Sequence, residues 1–299
     1  MRRPTVEWQV AGACNYDCSY CIQSPKHRVG APSRETVDGL LSFLASLPGR
    51  WEVKMSGGEP FAFPLFLPRI VPGLVDETPH TVSVLTNLSA PLSALERFAR
   101  LTRGRLGIVS ASLHLESATA AAFVAKALRL REWIGEGPSL VVNSVLVPGR
   151  LQELLAAREA VEAAGLPFFP QVMKVKGGVH DYSEADRLLL PRFLGAGGDP
   201  RRENRAPSYL GRRCWSGVDY LVLTQEGDAW SCRTAKRFGE GFLGNALNGG
   251  IRLAQGPRPC PYTICPCTVP ANRGMVEGVG AGAARAEGAD GPAAAVEPA

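Results

Sequence analysis

Two hydrophobic rhythms alternate along the chain. Val6 to Val10 reads as a short strand. Behind Pro32, Ser33 can cap a helix in which Val37, Leu40, Leu41 and Leu44 recur at i, i+3, i+4, i+7, with Gly49 just past its end. Trp51 to Met55 is a second strand. Strand Thr81–Thr86 then precedes a helix carrying Leu92, Leu95, Phe98 and Ala99. Strand Leu106–Leu115 precedes a helix from Ser117 to about Ile134. Strand Leu140–Val147 precedes a helix from Leu151 to Ala164, closed by Gly165. Strand Phe168–Lys176 precedes a helix opening near Ser183. Strands alternating with helices predict parallel pairing with the helices outside. Six such units are too few to close an eight-stranded barrel, so the expected class is α/β, a partial, open (β/α)6 TIM-like barrel.

In such a barrel, chemistry gathers at the carboxyl ends of the strands. After the second strand comes Ser56-Gly57-Gly58-Glu59-Pro60, where two glycines allow close backbone approach and Pro60 rigidifies the exit. By itself this is also an ordinary strand-to-helix turn. In the fourth strand, a period of two puts Ser110, Ser112, His114 and Glu116 on one face, and Val109, Ala111, Leu113 and Leu115 on the other. The apolar face suits the helices, which leaves a polar barrel interior and argues for a ligand cavity. His114 reads equally as a hydrogen-bonded core histidine. Asn87, ending the third strand, and Asn143, in phase with Val145 and Val147, are further polar candidates. Gln171 and the pair Lys174 and Lys176 fall on opposite faces, and the ordinary place for such lysines is solvent.

Cysteine placement sharpens the picture. Cys14, Cys18 and Cys21 sit in eight residues at spacing C-x3-C-x2-C. Three thiolates on one short loop can hold an iron–sulfur cluster while leaving one iron open to an exogenous ligand. Together with His27 they could instead form a zinc site, although only one half of the usual paired spacing is present. The spacing resembles the signature of radical S-adenosylmethionine (radical SAM) enzymes, and Gly57, Gly58, Glu59 and Pro60 are similar to that family's motif for the SAM amino group. The resemblance implies a [4Fe–4S] cluster on Cys14, Cys18 and Cys21 that binds SAM and cleaves it reductively to a 5′-deoxyadenosyl radical. It implies Ser112 near the SAM carboxylate or ribose, Tyr20 and Val147 at the adenine, and weaker SAM contacts at Asn87 and Asn143. Glu116 is the expected general base, with His114 and Lys174 behind it.

Composition changes after Leu194. Gly195 to Gly198 and the charged run Arg201–Arg205 read as a linker, and Cys214, Cys232, Cys260, Cys265 and Cys267 follow. Tyr220–Leu223 and Ala229–Cys232 read as a β-hairpin turning at residues 225–228. The pattern C-x12-G-x4-C through Gly227, with Phe242-Leu-Gly-Asn245 beyond it, resembles the SPASM/Twitch extension of radical SAM enzymes. That implies one auxiliary [4Fe–4S] cluster in a small Twitch-like domain of β-hairpin and helix, with one of five thiols spare. A structural zinc ribbon is the alternative. The expected division is 1–194 barrel, 195–275 auxiliary domain, and 276–299 a disordered tail rich in Gly and Ala.

At 299 residues, 45% hydrophobic, the chain has no apolar run long enough to span a bilayer and no secretory h-region at its start. A cytoplasmic location, with eight reduced cysteines serving metal chemistry, is the expectation. A formal charge of +5 without a basic run suits an anionic substrate and does not suggest nucleic acid. The resemblance implies hydrogen abstraction from a small polar metabolite, with a flavodoxin- or ferredoxin-type donor. The short stretch before Cys14 favours that class over the alternative, a maturase acting on a ribosomally made peptide. A non-enzymatic cluster or zinc protein acting as an electron carrier is a third reading, but a carrier needs neither the glycine motif nor a polar interior.

Overall fold

The computed structural model describes residues 2–23, 28–175, 178–194, 208–263, 265 and 269–279. His27, Lys176, Cys267, the linker residues 195–205 and the tail beyond 279 lie outside the described residues.

Six parallel strands run in chain order: β1 (Thr5–Ala11), β2 (Glu52–Gly57), β3 (Thr81–Thr86), β4 (Leu106–Ser112), β5 (Ser139–Leu146) and β6 (Phe168–Val172). Between them lie α1 (Arg34–Ser46), α2 (Val71–Asp76), α3 (Leu92–Leu101), α4 (Ala120–Ile134) and α5 (Leu151–Ala163). This is the partial barrel that the periodicity predicts. Ser33 caps α1, its side chain accepting from the Thr36 amide, as Thr119 caps α4 through the Ala122 amide. Val6, Trp8, Val10, Val53, Met55, Val109, Ala111 and Val142 pack outward into one core with Leu40, Leu41, Leu44, Phe98 and Leu130. The opposite strand faces point into the barrel.

Three local expectations change. The segment between β2 and β3 is helical, a 3-10 turn at Pro60–Ala62, a π-turn at Phe66–Ile70 and then α2. Prolines at 60, 64, 68 and 72 conceal it, because each removes a donor that a regular helix would use. Strand β4 ends at Ser112, not Leu115. The Leu113 amide makes the last cross-strand bond, to Asn143, and the Ser117 and Ala118 amides close a turn onto the His114 carbonyl. His114 and Glu116 therefore sit in the loop beyond the strand and not on its inner face. Likewise β6 stops at Val172. The Met173 amide bonds the Tyr182 hydroxyl, and β7 (Lys174–Val175) pairs with β8 (Gly178–Val179) as a separate hairpin. Lys174 is thus off the barrel sheet.

After α6 (Glu184–Leu194) come β9 (Arg213–Cys214), β10 (Tyr220–Leu223), β11 (Asp228–Trp230), α7 (Arg233–Phe238), β12 (Phe242–Asn245), β13 (Gly250–Ile251), β14 (Arg258–Pro259) and α8 (Val269–Asn272). The expected hairpin is present as β10 and β11. It does not stand apart: β10 pairs in parallel with β1, so one ten-stranded sheet runs from β13 through β10 and β1 to β6. The packed chain also continues past Met275, with Val276 bridged to Cys214 and both Val276 and Val279 buried.

Two ion pairs with buried carboxylates fasten this C-terminal part to the barrel. Arg273 forks onto Glu52 at 2.6 and 2.8 Å, and Arg233 meets Glu7 at 2.7 Å. The Tyr220 hydroxyl also donates to Glu7. Burial pushes the Glu7 carboxyl up, but Arg233, Lys54 and the Tyr220 hydrogen bond outweigh it and hold it at about 2. Because this lies below the ordinary value near 4.5, the stabilisation is complete above that pH and is lost as pH falls toward 2. Denaturant titrations should show Glu7→Ala costing about 2–3 kcal/mol at neutral pH, as Arg233 and Tyr220 lose the carboxylate they share, and Glu7→Gln flattening the loss of stability between pH 5 and 2.

Candidate active site

Strand β1 delivers the three-cysteine loop to the barrel mouth through a register shift between Gln9 and Ala11. Strand β2 meets it there. Gly57 has φ of +137°, and a Cβ on it would lie 2.2 Å from the Ala11 carbonyl oxygen. A Cβ on Gly58 would lie 2.0 Å from that of Ala13. With no side chains between them, the Gly58 and Glu59 amides donate to the Ala11 and Ala13 carbonyls at 2.9 and 3.1 Å. The two glycines therefore fix where the cysteine loop begins.

Inside that loop, Cys18 is buried, Cys14 half-buried and Cys21 exposed. Burial raises the Cys14 thiol, and burial together with the Glu116 carboxylate pushes Cys18 to about 11. Both also feel the Cys21 charge, so the three sulfurs form one electrostatic group. Among the described residues no three Cys, His, Asp or Glu side chains converge on a common ion. A cubane cluster does not ask for that, since its thiolates ligate separate irons.

The loop is clasped from β3 and from the turn after β4. The Asn15 side chain donates to Ser89 at 2.8 Å and accepts from Asn87 at 3.1 Å. The Ser19 amide and hydroxyl donate to the two Glu116 carboxylate oxygens at 2.9 and 2.5 Å. Tyr20 stacks on His114, its hydroxyl 2.9 Å from Nδ1. Burial lowers the His114 pKa, so the ring is neutral and can accept. Glu116 is mostly exposed; slight burial is outweighed by the Ser19 bonds and Arg150, which keep it ionised. Glu116 and His114 are thus engaged with the cysteine loop, in reach of Ser19 and Tyr20.

Glu59 is the unusual carboxyl of the site. It is 1% exposed and accepts from the Phe61 and Asn87 amides and the Thr86 hydroxyl, at 3.1, 2.7 and 2.8 Å. Among the described residues no basic side chain pairs with it. Burial outweighs these donors and raises it to about 7. Pro60 follows at the first position of the 3-10 turn. Deeper in the barrel, Asn143 joins Ser112 at 3.0 Å, Ser110 at 2.9 Å and Gln171 at 3.4 Å. Val147 and Tyr20 line one cleft together with Leu115, Ser144, Val145, Arg150 and Leu154. Asn15, Ser19 and Lys126 escaped the sequence reading. Lys126 donates to the carbonyls of Leu88, Ser89 and Ala90, holding a turn in which Leu88 has φ of +54°. No local pattern announces such long-range clasps.

A second thiol group lies at the C-terminal part. Cys214, Cys260 and Cys265 pack around Tyr209, Ala271, Val276 and Val279, while Cys214 and Cys232 pack around Tyr220, Val222 and Met275. The Cys232 sulfur caps α7, accepting from the Ala235 amide at 3.3 Å. In the second of these groups the Trp230 indole N–H is buried without an acceptor among the described residues, and cluster sulfur is an acceptor. The hairpin turn reaches the root of the cysteine loop, Gln225 accepting from the Gly12 amide at 2.6 Å.

No family model matches the chain. A stretch of 96 residues is 33% identical to 7-carboxy-7-deazaguanine synthase of Methanothermobacter thermautotrophicus, covering 29% of this chain and 34% of that protein, so about a third of that relative's length is matched. Native anSMEcpe with bound AdoMet and Cp18Cys peptide superposes with a TM-score of 0.57 at 14% identity, over 82% of this chain and 78% of that one. Streptococcus suis SuiB bound to precursor peptide SuiA gives 0.59 at 13% identity, over 83% and 63%. These are radical SAM enzymes. The fold is that of the radical SAM enzymes.

Gly58→Ala is expected to push the cysteine loop off β2 at a cost of about 1–3 kcal/mol. Denaturant titration of the Gly58→Ala variant beside wild type should show that loss.

Proposed function

We propose that the chain is a radical SAM enzyme that removes hydrogen from a carbon of a polar substrate held in the barrel mouth. The observation that carries this reading is the packing of the Cys14–Cys21 loop onto Gly57-Gly58-Glu59, which puts three thiols and an unpaired buried carboxyl at one strand end. Cys14, Cys18 and Cys21 would hold a [4Fe–4S] cluster. Glu59 suits the SAM ammonium, because a buried carboxyl raised to about 7 gains most from a cationic partner. Ser112, Asn143 and Asn87 offer polar contacts to the remainder of SAM, and the Tyr20–Val147 cleft suits its adenine. When bound, cluster and SAM together supply the radical that attacks an unactivated C–H bond.

The protein's own part is to position and to exclude water. Glu116 and His114 hold the cysteine loop through Ser19 and Tyr20, and either can take a proton only if substrate approaches that clasp. Lys174 is the more remote candidate base. Cys214, Cys232, Cys260 and Cys265 would hold an auxiliary [4Fe–4S] cluster, with Cys267 available outside the described residues. Such a cluster gives a place for the second electron of an oxidation. A flavodoxin- or ferredoxin-type protein is the proposed reductant, and the cytoplasm, which keeps thiols reduced, the proposed location; no described helix is long and apolar enough to cross a membrane. On this reading residues 1–194 form the barrel, and the auxiliary region that begins at 195 runs past 275, since Val276 bridges to Cys214.

A small polar metabolite is the first substrate class, favoured by the polar inner wall of Ser110, Ser112, Asn143 and Gln171. The second reading is a peptide, favoured by the peptides named with anSMEcpe and with SuiB. Anaerobic incubation with candidates of each class separates them.

Reconstituted protein should carry about eight irons per chain, falling to about four when Cys14, Cys18 and Cys21 are all changed to Ala. With SAM and a strong reductant it should yield 5′-deoxyadenosine, and the triple variant none. Wild-type protein that binds four irons at the loop yet yields no 5′-deoxyadenosine sinks the enzyme reading. Glu59→Ala should weaken SAM binding about tenfold or more, measured by equilibrium titration.

A further inference from the structure

The inner face of β1 and β2 carries three adjacent pairs, Thr5 with Glu52, Glu7 with Lys54, and Gln9 with Ser56, rising toward the cysteine loop. The C-terminal part sends a basic side chain to each level. Arg273 takes Glu52 at the bottom. Arg233 takes Glu7 and reaches up to Ser56 at 3.1 Å. Lys236, one turn further along α7, donates to the Gln9 side-chain oxygen at 2.7 Å. The two arginines meet carboxylates, whereas the uppermost cation meets a neutral amide.

Lys54 adds to the excess. Among the described residues neither Lys54 nor Lys236 has a carboxylate within 4 Å, and Glu7 is already shared between Arg233 and Tyr220. Beside the Arg233–Glu7 pair, Lys54 and Lys236 are the cations at these levels that meet no carboxylate directly among the described residues. Glu226 and Asp228, on the hairpin turn, act on Lys236 from further off. Lys236 is half-buried, and a lysine is seldom withdrawn from water without an anion to meet it. Its level on the wall, at Gln9 and Ser56, lies one register step below the Ala11–Gly57 pair where the cysteine loop leaves β1.

We propose that Lys236, backed by Arg233 and Lys54, forms a subsite for an anionic group of the substrate, a carboxylate or a phosphate, on the inner wall beside Gly57. It rests on the reading of the chain as a radical SAM enzyme and narrows that reading's substrate class. The wall places the anion next to the three-cysteine loop, where an oriented substrate carbon has to lie. Ammonium and guanidinium donors to an anion are the strong kind of hydrogen bond, and two cations on one wall fix both position and orientation.

SAM carries a carboxylate of its own, so the test separates the sources. Full-length reconstituted protein is titrated calorimetrically at low salt with inorganic phosphate, with acetate, and with SAM, each alone. Wild type should bind phosphate or acetate, and whichever gives heat names the anion. Lys236→Met should weaken that binding about tenfold or more, Lys236→Arg should keep it, and SAM affinity should stay within twofold. Lys236→Gln keeps a bond to Gln9 and replaces the Met variant if circular dichroism shows that one unfolded. Absence of anion binding in the wild type, anion binding indifferent to Lys236, or an equal loss of SAM affinity overturns the subsite. Assaying 5′-deoxyadenosine on the same preparations keeps the two readings apart. Product without anion binding removes the subsite alone, while Lys236-dependent anion binding without product removes the enzyme reading and leaves an anion site.

Discussion

Everything at the barrel mouth depends on how closely β2 approaches the chain leaving β1. At Gly57 and Gly58 the two backbones touch, with no room for a Cβ against the carbonyls of Ala11 and Ala13. That contact sets the height of the cysteine loop above the sheet. It also aims Glu59 inward from the next residue, where the Thr86 and Asn87 donors fix its carboxyl. One steric condition thereby registers three thiols against one buried acid. The clasps from Asn15, Ser19 and Tyr20 then orient the rest of the loop, but they act on a loop whose root is already placed.

The second organising feature is electrostatic. A buried charge is tolerated only when paired and hydrogen-bonded, and the inner wall of β1 and β2 meets that demand with residues from the far end of the chain. Arg233 and Arg273 lie 226 and 221 positions from their partners Glu7 and Glu52. Neither pair is strong evidence of net stability, because apolar replacements can do as well. Their consequence is positional. Arg233 fixes α7, and with it Cys232 and Lys236, against the barrel, and Arg273 does the same for the end of α8. The Gln225 contact to Gly12 does the same for the hairpin turn. Cys232 thus follows β11 of the same sheet that carries the Cys14–Cys21 loop, while Cys214 lies in β9, which pairs with β14 as a separate two-stranded sheet. Electron transfer between clusters bound there would depend on that fixed arrangement, and so would a substrate anchored at Lys236.

Much of the barrel could be read from the order of residues, because period and capping are local. Thr81–Thr86 was bounded to the residue, Ser33 is the cap it was expected to be, and the β10–β11 hairpin turns at Gly227 in a left-handed conformation that glycine permits. Proline obscured the helix after Pro60, since a propensity argument reads each proline as a break. The alternation in β4 held for Ser110 and Ser112 and failed for His114 and Glu116. Periodicity cannot see where cross-strand bonding ends, and at Leu113 it ends because the loop turns back on the His114 carbonyl.

The identities of the thiols, the two glycines and the acid were fixed by the order of residues, because spacing on a short loop and the lack of a Cβ are properties of the chain itself. Which side chains hold that loop was a matter of folding. Ser19 with Glu116, Tyr20 with His114, Lys126 with the Leu88 turn, and Arg233 with Glu7 are separated by 36 to 226 positions. No local pattern encodes such pairs. They exist because burial leaves each polar group to find whatever partner the packed barrel brings within reach.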